Sequence, residues 1–182
     1  MKRHPSLREF SDDHHQGLIN ARRLRRAASG EGGGSFADAA RDFLEFWRRD
    51  TSRHFHKEEE VLLPVLARYG GDLGEPPILQ VLTQHVRIRG LAMQLSDELK
   101  QDKIREDTLR NLGEQLEAHI RLEEREAFPL IEETLPEHAL QEVASRLEVF
   151  EPGPPHEPWV PAEGFSFDPW PGPGDSEGGG SD

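Results

Sequence analysis

A chain of 182 residues, 34% of them hydrophobic and 31% charged, is long enough for one domain of amphipathic helices and too short for two domains of ordinary size. It has no cysteine, which excludes disulfides, thiolate zinc sites, iron–sulfur clusters and a cysteine nucleophile, so any metal would be bound by imidazole and carboxylate. Its net charge of −13 argues against nucleic acid or an anionic membrane as a partner, because both are polyanions.

The first two periodic segments predict two long helices. Apolar residues recur at helical spacing over residues 6–29, and the glycine-rich stretch 30–34 ends that helix. Ser35 and Asp38 have the spacing of a capping pair, so they are expected to open the second helix. The apolar stripe of this helix continues until the glycines at 70–71 close it.

The following segments predict three more helices. The third begins with prolines in its first turn, where the missing N–H costs little, and extends over about residues 75–101. A fourth is expected at about 104–133, and a short fifth at about 136–150. Four long helices with short or glycine-rich connections predict an all-α fold, an antiparallel up-down-up-down four-helix bundle.

A change of composition at residue 151 divides the chain into two predicted regions. Residues 1–150 are expected to form the bundle, and residues 151–182, rich in Pro, Gly and acidic residues, an extended or disordered tail. Four aromatic residues in the tail are candidates for docking onto the bundle or onto a protein partner: Trp159, Phe165, Phe167 and Trp170. Because no apolar run has the length of a membrane span and the first residues lack a signal-peptide core, we expect a soluble cytoplasmic protein.

Two stretches of the sequence repeat one another. Each consists of His, three residues, Glu-Glu, four residues and Pro, and they begin at His54 and at His119. Positions i and i+4 share one face of a helix, so His54 with Glu58, and His119 with Glu123, can each present an imidazole and a carboxylate to one ion. The repeated proline, deep in both predicted helices, indicates a shared backbone geometry.

Each copy of the repeat follows a helix that has a histidine of its own, His15 in the first half and His85 in the second. Packed with approximate two-fold symmetry, the halves would bring four histidines and two glutamates to the bundle centre. Imidazole and carboxylate suit iron or manganese, and zinc is chemically possible. One His-x-x-x-Glu pair is usually a solvated surface pair. Two copies in register are much harder to obtain by chance, so the sequence predicts a two-metal centre.

With this paired motif, residues 6–133 resemble the hemerythrin-like, or HHE cation-binding, family. The resemblance implies a four-helix bundle with an oxo- or hydroxo-bridged, non-haem di-iron centre. By position, the implied metal ligands are His15, His54, Glu58, His85, His119 and Glu123. The family tends to place Leu three residues after the first metal ligand, which favours His15 because Leu18 follows it. His14, one turn after Phe10, is the competitor.

One position departs from the family pattern. Oxygen-carrying hemerythrins have a second histidine one turn after the third-helix metal ligand, and here that position is Arg89, whose guanidinium cannot replace an imidazole. This argues against a simple reversible oxygen carrier. It indicates an open coordination position, a water, or another carboxylate such as Glu59 or Glu124. Four histidines have no partner in the repeat and are expected at the surface: His4, His56, His138 and His156.

The leading functional hypothesis is a di-iron protein that binds or senses a small ligand such as O2, NO or peroxide, or responds to iron, and that is a metal-binding protein rather than an enzyme. Oxidase, peroxidase or NO-reducing chemistry at the same centre is the enzymatic alternative, although no further acid–base pair or redox cysteine supports it. Iron storage or transfer is a third hypothesis. A helical interaction module, in which the His and Glu residues are merely paired, is the alternative without metal.

Overall fold

The computed structural model describes residues 3–31 and 33–151, and within them it contains five helices and no strand. The helices are α1 (Arg8–Ala28), α2 (36–68), α3 (Pro76–Lys100), α4 (106–134) and α5 (Glu137–Glu148). The all-helical prediction is confirmed. The tail predicted for 151–182, with its four aromatic residues, lies outside the described residues beyond Glu151. None of the helices in the described ranges is long and apolar enough to cross a membrane.

The helix ends follow local sequence signals. Ser35 and Asp38 form the expected capping box at the start of α2, with the Ser35 hydroxyl accepting from the Asp38 N–H. The start of α4 has no cap of its own, because its N-cap side chain is that of Arg105. Instead the carboxylate of Glu98, on α3, accepts hydrogen bonds from the Arg105 N–H at 3.0 Å and the Thr108 hydroxyl at 2.8 Å.

Helices α2 and α4 are continuous but contain π-helical turns. In α2 these are Trp47–Thr51 and Glu58–Leu62, and in α4 the turn is Glu123–Ala127. The last two begin at the glutamate of the repeated motif and end just before Pro64 and Pro129. A proline ring cannot fit against the carbonyl four residues earlier in an α-helix, and the extra residue of a π turn relieves that conflict. Both copies of the motif therefore have the same local backbone shape.

Four helices enclose the core, and α5 covers one end. Helix α1 packs against α4 and α2, and α3 packs against α4 and α2. Two apolar clusters fill the interior. One includes Phe10, Leu62, Phe128 and the α5 residue Val143. The other includes the buried residues Ala21, Phe43, Ile88 and Leu112.

Every long helix passes from one apolar cluster to the other. Along α1 and α3 the cluster that α5 covers comes first, and along α2 and α4 it comes last. On α1 and α3 the buried histidine lies between the two sets of apolar residues, and on α2 and α4 the histidine and glutamate lie where one set gives way to the other. A buried polar layer therefore separates the two halves of the core.

Candidate metal centre

Six buried side chains converge in the polar layer. They form two groups whose ligand atoms lie within 4.8 Å of one another, and Glu58 and Glu123 belong to both groups. The first group adds His14 and His54, and the second adds His85 and His119. Each of the six side chains is at least nine-tenths buried. The structure thus brings together five of the six residues predicted from the sequence.

The structure does not bring the sixth predicted residue, His15, into the centre. His14 points into the centre, whereas His15 is exposed. Successive residues of an α-helix are rotated by about 100°, and the buried face of α1 contains Phe10, His14, Gly17 and Ala21. Proximity to Leu18 was a poor guide, because Leu18 itself is only partly buried.

Each glutamate directs one oxygen toward each histidine pair. Glu58 Oε1 lies 3.3 Å from His54 Nε2, and its Oε2 lies 3.2 Å from His85 Nε2. Glu123 Oε2 lies 3.0 Å from His14 Nε2, and its Oε1 lies 3.3 Å from His119 Nε2. Donor atoms bound to one ion at about 2.1 Å lie about 3.0–3.4 Å apart, so these spacings fit two ions that share both carboxylates.

The other ring nitrogen of each histidine has a partner outside the centre. His14 Nδ1 lies 2.7 Å from Glu124, and His85 Nδ1 lies 2.6 Å from Glu59. The Nδ1 atoms of the α2 and α4 histidines have analogous partners: His54 lies 3.2 Å from Asp13, and His119 lies 3.3 Å from Gln84. An acceptor at Nδ1 fixes the proton there and leaves Nε2 as the metal-binding atom, which is the usual arrangement at metal sites.

The centre contains buried polar atoms that the protein does not satisfy. Both carboxylate oxygens of Glu58 and of Glu123, and Nε2 of His85 and of His119, have no hydrogen-bond partner among the described residues. Buried polar atoms are normally paired, since an unpaired one costs free energy. All six belong to the donor set above and converge on two points. The residues present therefore fit a pair of metal ions.

The model of the hemerythrin HHE cation binding domain matches residues 6–147 of the chain. The chain belongs to this family. The match extends past residue 133, where the resemblance seen in the sequence ended, and so includes most of α5. No curated protein and no solved structure matches the chain.

In this hemerythrin-family chain, Arg89 stabilises the arrangement from outside. Its guanidinium donates two hydrogen bonds of 2.8 Å to the carboxylate of Glu59, which in turn accepts from His85. Arg3 pairs with Glu124 at 2.8 Å in the corresponding place on the other side. Glu59 and Glu124, considered from the sequence as substitute metal ligands, lie outside both groups and orient imidazoles instead.

Charge in the centre is balanced by protons on histidines. Burial lowers the pKa of His54, but the Glu58 charge and a hydrogen bond to Asp13 outweigh it and raise that pKa to about 10. Burial also lowers the pKa of His119, and here the charge of Glu123 does not outweigh burial and the charge of His85, so the pKa falls to about 4. The pKa of Glu58 lies well below its ordinary value, because nearby imidazolium charge overcomes the cost of burial. A cation entering the centre would therefore displace protons.

A small cavity of about 20 Å³ adjoins the first histidine pair. It borders His14, His54 and His119 on one side, and its remaining wall is mostly apolar: Gly17, Phe46, Phe55, Leu116 and Ile120. A cavity of this size accommodates about one water-sized molecule. A Cβ at Gly17 would lie 2.6 Å from Ile120 Cδ1, so the end of the Ile120 side chain would have to shift to admit it.

The histidines outside the motif occupy different environments. His56, expected at the surface, is buried at 5% exposure on α2, so that expectation was wrong; it lies outside both groups. His4 is half-buried and lies 3.2 Å from Glu137, and His138 is exposed. His156 lies outside the described residues.

Proposed function

We propose that the chain holds two iron ions, one between His14 and His54 and one between His85 and His119, with Glu58 and Glu123 shared by both. The observation that carries this proposal is the division of each buried carboxylate between the two histidine pairs. Without an ion, these oxygens would have only the protons of the neighbouring imidazoles as partners, and burying several charged groups against one another is costly. The antiparallel up-down-up-down topology is part of the proposal, and the order of the apolar clusters along the helices supports it.

Iron is the metal that the donor set and the family favour together. Imidazole and carboxylate bind iron, manganese and zinc, and the absence of cysteine from the chain excludes thiolate-dependent centres. Manganese and zinc are the less favoured occupants. Bound iron would supply a redox-active Lewis acid.

The proposed activity is binding or sensing of a small molecule such as O2, NO or peroxide, or a response to iron itself. Two histidines and two shared carboxylates give each iron fewer protein donors than the roughly six ligands that iron usually takes. Coordination positions would therefore remain open, as in other His–carboxylate iron sites. The cavity beside His14 and His54 has room for one small molecule, and apart from the histidines most of its lining is apolar. The chain's own residues would hold the ions, orient the imidazoles and limit access.

The first experiment measures iron per chain and the absorption spectrum after anaerobic loading with ferrous iron and exposure to air. We expect about two irons per chain, with charge-transfer bands that are absent from the His54→Ala, His119→Ala double variant. The matched control is His138→Ala, because His138 is exposed and lies outside both groups of metal-binding side chains. Iron bound equally by all three proteins, or by none, would overturn the proposal.

A second set of measurements separates the alternatives. Addition of NO or azide to the loaded protein should change its spectrum without sustained consumption of substrate. Sustained turnover of O2, NO or peroxide would instead favour the oxidase, peroxidase or NO-reducing alternative. Uptake of many more than two irons per chain would favour storage.

A further inference from the structure

The residues that contact the histidines from outside the centre follow the same two-fold repeat as the histidines and glutamates of the centre. They differ in one pair of side chains. Asp13 and Gln84 are the residues directly before the buried histidines of α1 and α3. Each lies against the histidine of the following helix: Asp13 Oδ2 is 3.2 Å from His54 Nδ1, and Gln84 Oε1 is 3.3 Å from His119 Nδ1. The two contacts have nearly the same length, but one acceptor is a carboxylate and the other is a neutral amide.

This difference changes how strongly the imidazole binds a cation. A charged acceptor forms a hydrogen bond roughly twice as strong as a neutral one. By drawing the Nδ1 proton toward itself, a carboxylate makes the opposite nitrogen more electron-rich and a better metal ligand. His54 therefore has the stronger donor atom and His119 the weaker one.

The charges around the first position reinforce the difference. Three carboxylates and two cations form linked ion pairs on the His14 and His54 side of the centre, and of these only Asp13 and Glu124 contact the imidazoles themselves. The five residues are Glu9, Asp13, Glu124, Lys57 and Arg3. The cations do not cancel the carboxylates, and Arg3 is further shared with Glu132. The Asp13 side chain is 44% exposed, so water screens its long-range field but not its direct contact with His54.

The second position has no such excess of negative charge. Glu59, which contacts His85, is neutralised by two hydrogen bonds from Arg89. Gln84, which contacts His119, carries no charge. The two positions share Glu58 and Glu123, so these carboxylates favour neither.

We propose that Asp13 and Gln84 make the two metal positions unequal, so that the first divalent cation binds between His14 and His54. This inference rests on the proposed two-metal function and adds an order of occupation to it. Asp13 and Gln84 act as positioning residues, since neither belongs to the metal-binding groups.

The test is a titration of the full-length metal-free protein with Zn²⁺. Calorimetry measures the binding, and the imidazole ¹H–¹⁵N NMR signals show which histidines are affected. Zn²⁺ suits the test because it binds His and carboxylate and has no redox chemistry. The His14 and His54 signals should change with the first equivalent, and the His85 and His119 signals with the second. Asp13→Asn should weaken the first step by about 10–100-fold, the usual effect of losing such a hydrogen-bond partner.

The matched variant is Gln84→Glu, which should strengthen binding at the His119 position. The double variant Asp13→Asn, Gln84→Glu should reverse the order in which the histidine signals change. Equal affinities in the wild-type protein, or an order unaffected by either exchange, would overturn the inference while leaving two-metal binding intact. No binding of Zn²⁺ or iron by the wild-type chain would instead overturn the proposed function. Should Asp13→Asn fail to fold by circular dichroism, Gln84→Glu alone decides the test.

Discussion

A close approach of α1 and α4 depends on Gly113. A Cβ at this position would lie 2.7 Å from the Ala21 carbonyl oxygen, 2.8 Å from Arg25 Cγ and 3.3 Å from Leu24 Cβ. The first of these neighbours is backbone, which cannot move aside as the end of a side chain can. Because α1 carries His14 and α4 carries the buried residues that face it, this contact sets the spacing of one side of the centre.

Gly113→Ala tests that spacing, and Gly90→Ala is its matched control. At Gly90, on α3, an added Cβ meets nothing within 4 Å. Alanine there should raise the free energy of unfolding by about 0.5–1 kcal/mol, which is the helix-propensity difference between the two residues. At Gly113 the same gain is opposed by overpacking of about 1–3 kcal/mol, so we expect a net loss of up to about 2 kcal/mol.

The assay is urea and thermal unfolding of both variants in the metal-free, full-length protein. A change of 1 kcal/mol corresponds to about 2–4 °C in Tm for a domain of this size, so the two variants should shift Tm in opposite directions. A Gly113→Ala protein that is stabilised as much as Gly90→Ala would refute the close contact between α1 and α4.

Three further predictions concern the charges and the metal. Burial raises the pKa of Glu98, but hydrogen bonds from Gln94, Arg105 and Thr108 outweigh it and lower that pKa from 4.5 to about 2. The carboxylate therefore stabilises the fold fully above pH 4.5 and loses this effect as the pH falls toward 2. In urea unfolding, Glu98→Gln should lower the free energy of unfolding by about 1–3 kcal/mol at pH 7 and by less at pH 3. Removal of bound metal by a chelator should lower Tm by about 5–11 °C if the metal was present at about 100 times its Kd, and an unchanged Tm in calorimetry would contradict binding to the native state. Arg89→Ala should weaken metal binding about tenfold by releasing Glu59 from its ion pair, as calorimetry with Zn²⁺ can show; an unchanged affinity would mean that Glu59 holds His85 without help.

Hydrophobic periodicity predicted the five helices, because a buried face recurs every 3.6 residues whatever packs against it. The i, i+4 spacing within the repeat likewise predicted which histidine and glutamate share a face, as seen for His54 with Glu58. The structure places His14 and not His15 on the buried face of α1, because the phase of the whole face, and not one neighbouring leucine, decides which histidine points inward.

The groups outside the centre could not be predicted in this way. Asp13 contacts a histidine on α2 and Glu59 a histidine on α3, and both pairings depend on how helices pack, which spacing within one helix does not encode. The role of Arg89 is hidden for the same reason. Its ion pair with Glu59 exists only once α2 and α3 lie side by side.

The contacts between Glu59 and His85, and between Glu124 and His14, each join the first half of the chain to the second. Each histidine pair also takes one of its carboxylates from the other half. Neither the α1–α2 pair nor the α3–α4 pair can therefore supply a complete group of these side chains by itself. A chain cut between α2 and α3 would yield two fragments that bind metal only as a pair, with the ions serving as the cross-links that hold the reassembled bundle together.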